Sequence, residues 1–164
     1  MTAMHPRAVE LIGSLKLVPH PEGGHYREVY RSAARVRPCD ARSERPSLTT
    51  IYFLLASGEI SRWHRVASDE VWHFYEGDVL ELFTADASFS QVTRCVLGPV
   101  SDDTQPVHVV RADQWQAARP AGAFTLVGCT VAPGFEFGDF ELLRDRPGGG
   151  EALRLADPEL TSLT

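Results

Sequence analysis

The chain has 164 residues, 43% of them hydrophobic and 23% charged, with a formal net charge of −6. That is enough for one domain with a sizeable core and too little for two ordinary ones. The acidic balance argues against non-specific nucleic-acid binding, which needs a basic face, and no apolar run approaches the roughly 20 residues of a membrane-spanning helix.

In chain order, PRAVELIGSLKL reads as a helix. Ala8, Leu11, Ile12 and Leu15 recur at i, i+3, i+4 and i+7, and Pro6 stands where a first-turn proline belongs. PHPEGG ends it, so residues 1–20 are read as an N-terminal helix and connector. HYREVYRS then alternates as a strand. VRPCDARSERP, residues 36–46, is polar with two prolines and reads as an exposed loop. SLTTIYFLLA is β-branched, aromatic and apolar on both faces, as a central strand would be. EVWHFY, DVLELFTA, QVTRCVL, PVHVV, QWQAAR and FTLVGCTVA follow, each closed by Pro, Gly or Asp. Short strands at roughly ten-residue intervals predict one antiparallel sandwich or barrel over residues 1–164. RPGGGEALRLADPELTSLT is expected to be a flexible turn and a loosely packed tail, residues 145–164.

Cys39, Cys95 and Cys129 are far apart and form no C-x-x-C, so neither a disulfide framework nor a cysteine-based zinc site is expected. Cys95 and Cys129 sit in apolar runs and read as core. The N-terminal stretch lacks the pattern of a secretory signal, and a cytoplasmic location is the expectation.

The chemistry concentrates in WHRVASDEVWHFYEGD, residues 63–78. Five residues separate Gly58 from His64, Val66 lies two further on, three residues precede Glu70, and six separate Glu70 from Gly77. His64 and Val66 share a strand face, Ala-Ser-Asp turns the chain, and Glu70 begins the next strand pointing into the same cavity. Gly77 falls in a tight turn where a positive φ is expected. Parity puts Trp72 and Phe74 with Glu70, and His73 on the opposite face.

This spacing resembles the first motif of the cupin superfamily, G-x5-H-x-H-x3-E-x6-G, with Val66 in place of the second histidine. PHPEGGHYREVYRS, SDEVWHFYEGD and VGCTVAPGFEF together resemble one cupin subfamily of unsettled role, over about residues 9–143. The resemblance implies a jelly roll of two antiparallel sheets with the N-terminal helix outside. It also implies a divalent metal, Zn, Mn, Fe or Ni, held by two histidines, a glutamate and a second-motif histidine. The second motif, P-x-G-x2-H, maps onto RADQWQ, with Arg111 for proline, Asp113 for glycine and Gln116 for histidine. Carried over residue by residue, His64, Glu70 and weakly Gln116 are the metal ligands, and Val66 cannot ligate. A metal-free pocket is the alternative.

Around this centre, Glu22 with its two following glycines is expected to line the barrel mouth. Tyr26, Tyr52, Trp72, Phe74 and Trp115 are candidates for an aromatic wall, Trp72 and Phe74 foremost by parity. Arg62, on the face of His64, is an anion clamp candidate, as are Arg27 and Arg65. PGFEFGDFELL, with Phe135, Phe137 and Phe140, reads as an edge or interface packing segment rather than a site.

Two functions follow from these readings. One is an isomerase or epimerase that acts by proton transfer on a small polar, carbohydrate-like molecule. In it His64 is general base or metal ligand, Glu70 orients it or acts as acid, and a tyrosine is a further acid candidate. The other is a non-catalytic small-molecule-binding protein with a degenerate, metal-free site. Exposed sheet edges lead to the expectation of a homodimer, through an edge strand or HYREVYR.

Overall fold

The computed structural model describes residues 4–164, so the first three residues of the segment read as helix and connector lie outside it. Helix α1 (Pro6–Leu15) is followed by β1 (Val18–Pro19), β2 (His25–Arg31), β3 (Arg35–Val36) and β4 (Arg45–Pro46). Next come β5 (Thr49–Ala56), β6 (Ser61–Val66), β7 (Asp69–Gly77), β8 (Leu80–Ala85) and β9 (Val92–Leu97). The chain continues through β10 (Val107–Val110), β11 (Trp115–Pro120), β12 (Phe124–Ala132), β13 (Phe140–Leu142) and helix α2 (Gly149–Ala156).

These strands build two antiparallel sheets, a jelly roll. The six-stranded sheet has the order β1-β2-β5-β12-β7-β10 and the five-stranded sheet the order β13-β6-β11-β8-β9, with β3 and β4 as a separate ribbon. Phe53, Leu55, Trp72, Leu82 and Val127 fill the space between the sheets. Alternation turns Leu54 and Ala56 to the other face of β5, where Ala8 and Leu11 of α1 cover them. That is why SLTTIYFLLA is apolar on both sides. Pro6 opens α1 at its first turn, and Lys16 ends it in the left-handed region at φ 55.

The outward face of the five-stranded sheet departs from expectation. Trp63, Phe83, Ala117 and Trp115 lie on it and would face water if left bare. The C-terminal segment covers them: Leu153, Leu160 and Leu163 are buried against these side chains, and the Trp63 indole donates to the Leu160 carbonyl at 3.2 Å. The expected loose tail is therefore a folded cover. Trp115, expected in an aromatic wall, belongs to this cluster and not to the cavity. The loop over residues 36–46 is also more anchored than its polarity suggests. Arg45 is buried and pairs with Asp139, and Arg42 reaches the same carboxylate at 3.4 Å.

Truncating Leu153 to alanine is expected to cost about 2–5 kcal/mol of unfolding free energy, the price of a buried leucine. Urea titration checks this. A change within about 0.5 kcal/mol, typical of exposed sites, would restore the loose tail.

Candidate functional site

The site starts from the PHPEGG turn. Gly23 and Gly24 have φ of 116° and 68°, and a Cβ on Gly23 would overlap the Ile60 carbonyl oxygen. The turn therefore docks directly on the start of β6. There the Glu22 carbonyl accepts from the Arg62 backbone N–H at 2.9 Å and from the Arg62 guanidinium at 3.0 Å. Docking turns the Glu22 side chain inward, where it is 6% exposed.

Strand β6 reaches the same place through an irregularity. Gln116 pairs with His64 but Ala118 pairs with Ser61, so β6 carries one extra residue there. The bulge brings both Ser61 and His64 to Glu22. It also takes Arg62 out of the His64 face, and Arg62 braces the PHPEGG turn instead of clamping an anion.

Hydrogen bonding fixes the protons. His64 Nδ1 lies 2.7 Å from the Arg62 carbonyl oxygen, which can only accept, so Nδ1 carries the hydrogen. His64 Nε2 thus presents a lone pair to Glu22 Oε2 at 3.3 Å. His20 Nδ1 accepts the Glu22 backbone N–H at 3.2 Å and lies 3.6 Å from the same Oε2. The other Glu22 oxygen accepts from the Ser61 hydroxyl at 2.7 Å. Glu22 Oε2 therefore lies beside two imidazole nitrogens, 3.3 Å from His64 Nε2 and 3.6 Å from His20 Nδ1. Burial favours the neutral form of all three groups. The Glu22 carboxyl is pushed up to about 8, the hydroxyl of Ser61 opposing. Burial also lowers His64, against the pull of the Glu70 charge. His20 is pushed down to about 4 by burial and by His64.

Glu70, the first inward residue of β7, is the second carboxyl. It accepts from the Gln116 amide nitrogen at 2.6 Å and from the Cys129 thiol, and burial raises its pKa. The Gln116 oxygen accepts from the Trp72 indole at 2.9 Å. An indole N–H only donates, so this bond settles which way the amide points. Gln116 steadies Glu70 and has no oxygen free to ligate. Trp72 serves as its anchor in the core, and Phe74 packs against the same core rather than the cavity.

Above these groups lies a cavity of about 350 Å³. His20, Glu22, Tyr26, His64, Val66 and Glu70 line it, joined by Cys129. Of the five candidate wall aromatics only Tyr26 is there; Tyr52 packs on Tyr75 outside. The walls come instead from Phe135, Phe137 and Phe140, with Phe140 lying over His64 at 5.3 Å between ring centroids. The segment read as edge packing is both: β13 is the sheet edge and its phenylalanines line the cavity. His73 pairs with Gly128 and Val107 and does not line the cavity. His20, Ser61 and Phe140 are the site residues that sequence reasoning missed. Only His20, two residues before Glu22, left a signal.

The chain matches a family model described as Cupin superfamily (DUF985) over residues 9–143. It belongs to the cupin superfamily. A crystallographically solved Shewanella oneidensis protein is similar to this cupin at 34% identity and TM-score 0.77, covering 94% of this chain and 92% of that one. A hypothetical protein from Leishmania major is similar at 30% identity and TM-score 0.81, with 95% of each chain covered. Oxalate decarboxylase from Bacillus subtilis, at 13% identity and TM-score 0.58 over 89% of this chain and 36% of its own, shares the fold. No curated protein matches the chain.

The superfamily's metal set does not fit these residues. Of the four ligand positions, Val66 offers carbon and the Gln116 oxygen is held by Trp72. Among the described residues, no group of three or more His, Cys, Asp or Glu side chains is arranged to hold a metal ion. Asp113, in place of the motif glycine, adopts φ 65°, a region that aspartate tolerates.

Stability should report the buried carboxyl. Folded Glu22 keeps its proton up to about 8, whereas the unfolded chain releases it near 4.5. Between those values the unfolded state binds fewer protons, so this contribution is lost as pH rises, at no more than about 1.4 kcal/mol per pH unit. Glu70, also raised by burial, acts in the same sense. His20 acts oppositely: its contribution is full above 6.5 and is lost as pH falls toward 4. Urea titrations of wild type and Glu22→Gln from pH 5 to 8 should show a steeper alkaline decline in wild type. Parallel curves would mean that Glu22 titrates normally.

Proposed function

We propose that this cupin binds one small polar molecule in the cavity and moves a proton on it, as an isomerase or epimerase of a carbohydrate-like carbonyl compound does. One observation carries the reading: Glu22 Oε2 and His64 Nε2 lie 3.3 Å apart at the cavity floor, and burial favours the neutral form of both. A carboxylic acid and a neutral imidazole side by side are an acid and a base ready at neutral pH. His64 Nε2 takes a proton from the carbon beside the carbonyl, and Glu22 supplies one to the oxygen. Return of the proton to carbon regenerates the pair. Glu22 takes the acid role expected of a tyrosine or Glu70, and Glu70, held by Gln116 and Cys129, contributes charge at the floor. Arg62 holds the Glu22 backbone, and Phe140 lies over the His64 ring. The reading routes no step through a metal.

Val66 favours the non-catalytic alternative, because it lines the cavity with carbon where the superfamily motif has a ligand. Solvent exchange separates the two. Incubated in D2O with a panel of aldoses, ketoses and their phosphates, wild type is expected to place deuterium beside the carbonyl of at least one. His64→Ala and Glu22→Gln should lose on the order of 10²–10⁴ in rate, and a chelator should change nothing. Binding of a panel member without exchange, equally tight in His64→Ala, would leave only a binding protein.

A further inference from the structure

We infer that the ligand carries a cationic group of the ammonium or amidinium class, its charge seated against Glu22 and Glu70 and its body against Tyr26, Phe137 and Phe140. The inference names a ligand class for the proposed pocket and rests on the pocket binding a ligand, not on its catalysing a reaction.

Glu22 and Glu70 are 6% and 7% exposed. Among the described residues neither is paired with a lysine or arginine; Glu22 meets the two imidazoles and Ser61, and Glu70 is hydrogen-bonded to Gln116 and Cys129 with His64 and Glu22 nearby. Elsewhere this chain supplies arginines freely, to Glu76, Glu81, Asp139 and Glu141. Arg62 comes closest, yet its guanidinium goes to the Glu22 backbone oxygen. Burial holds both carboxyls toward their neutral forms, and a cation arriving beside them would let them ionise.

The walls answer in kind. Aromatic faces carry negative potential and attract a desolvated cation, and Tyr26, Phe135, Phe137 and Phe140 line this cavity. Of the protein's own cations along it, Arg31 is taken by Glu28 at 2.8 Å and Glu136 at 3.1 Å, Arg27 lies over the Tyr52 ring, and Lys16, at the end of α1, is exposed.

Calorimetric titration of the full chain tests this with tetramethylammonium, choline and benzylamine, and with 3,3-dimethylbutan-1-ol, the neutral isostere of choline. At least one cation is expected to saturate the protein, and choline should bind about tenfold or more tighter than its isostere. Glu70→Gln and Glu22→Gln keep the side-chain shape and should erase that preference without changing the circular dichroism. Equal binding of choline and isostere, or no saturation by any cation up to about 10 mM, overturns the inference. So does stoichiometric uptake of Zn²⁺ or Mn²⁺ that both glutamine variants abolish, since a metal would then be the missing cation. These cations lack a carbon acid beside a carbonyl, so their binding succeeds or fails independently of the proton-transfer reading.

Discussion

The contact on which the site depends is the seating of the Glu22-Gly23-Gly24 turn on the first residues of β6. It is a backbone contact. Gly23 can approach the Ile60 carbonyl only because it has no side chain, and the Glu22 carbonyl is held by both nitrogens that Arg62 offers. The bulge in β6 then aims Ser61 and His64 at the carboxyl that the turn delivers. Nothing else in the structure forces a glutamate and a histidine together at the bottom of a closed cavity. Left to itself, a carboxyl would remain in water. The glycine turn makes its burial a consequence of chain geometry, and the titration of the whole floor follows from that burial.

Much of the fold was legible because its signals are local. Helical spacing in α1, alternation in β2 and the two-sided apolarity of β5 are each contained in fewer than a dozen residues. The spacing from Gly58 to Gly77 likewise placed His64 and Glu70 in one cavity, and φ at both glycines is positive, as the turns require. What was not legible depends on partners distant in sequence. Leu153 and Leu160 are buried only because Trp63 and Trp115 face outward, and no window around residues 149–163 contains that information.

Parity arguments failed where the ladder is irregular. Arg62 was placed beside His64 by counting in twos, and the extra residue in β6 breaks the count. Phe74 shares the parity of Glu70 but lies further along β7, beside the core and near the shift in its pairing with β12. The cavity's aromatic wall is built by the chain after β12, which packs across the mouth and pairs with β6 only at β13. A pattern confined to one strand cannot disclose which loop will close over it.

Val66 and Gln116 read, from sequence alone, as two independent losses. In the fold they are parts of one rearrangement. A neutral histidine at position 116 has a single lone-pair nitrogen, and could give it to a metal only by leaving the Trp72 indole without that acceptor. Glutamine meets the same indole with its oxygen and turns an amide N–H₂ toward Glu70. That group can only donate, so it cannot ligate a metal. At the same time Glu22 enters opposite His64, supplying the polar partner that Val66 does not. The floor thus exchanges a set of lone pairs converging on a metal for a set of hydrogen bonds converging on two carboxyls. A centre rebuilt in this way holds its charge on protein oxygens and leaves its proton free to move, and each of its donors is already assigned before any ligand arrives.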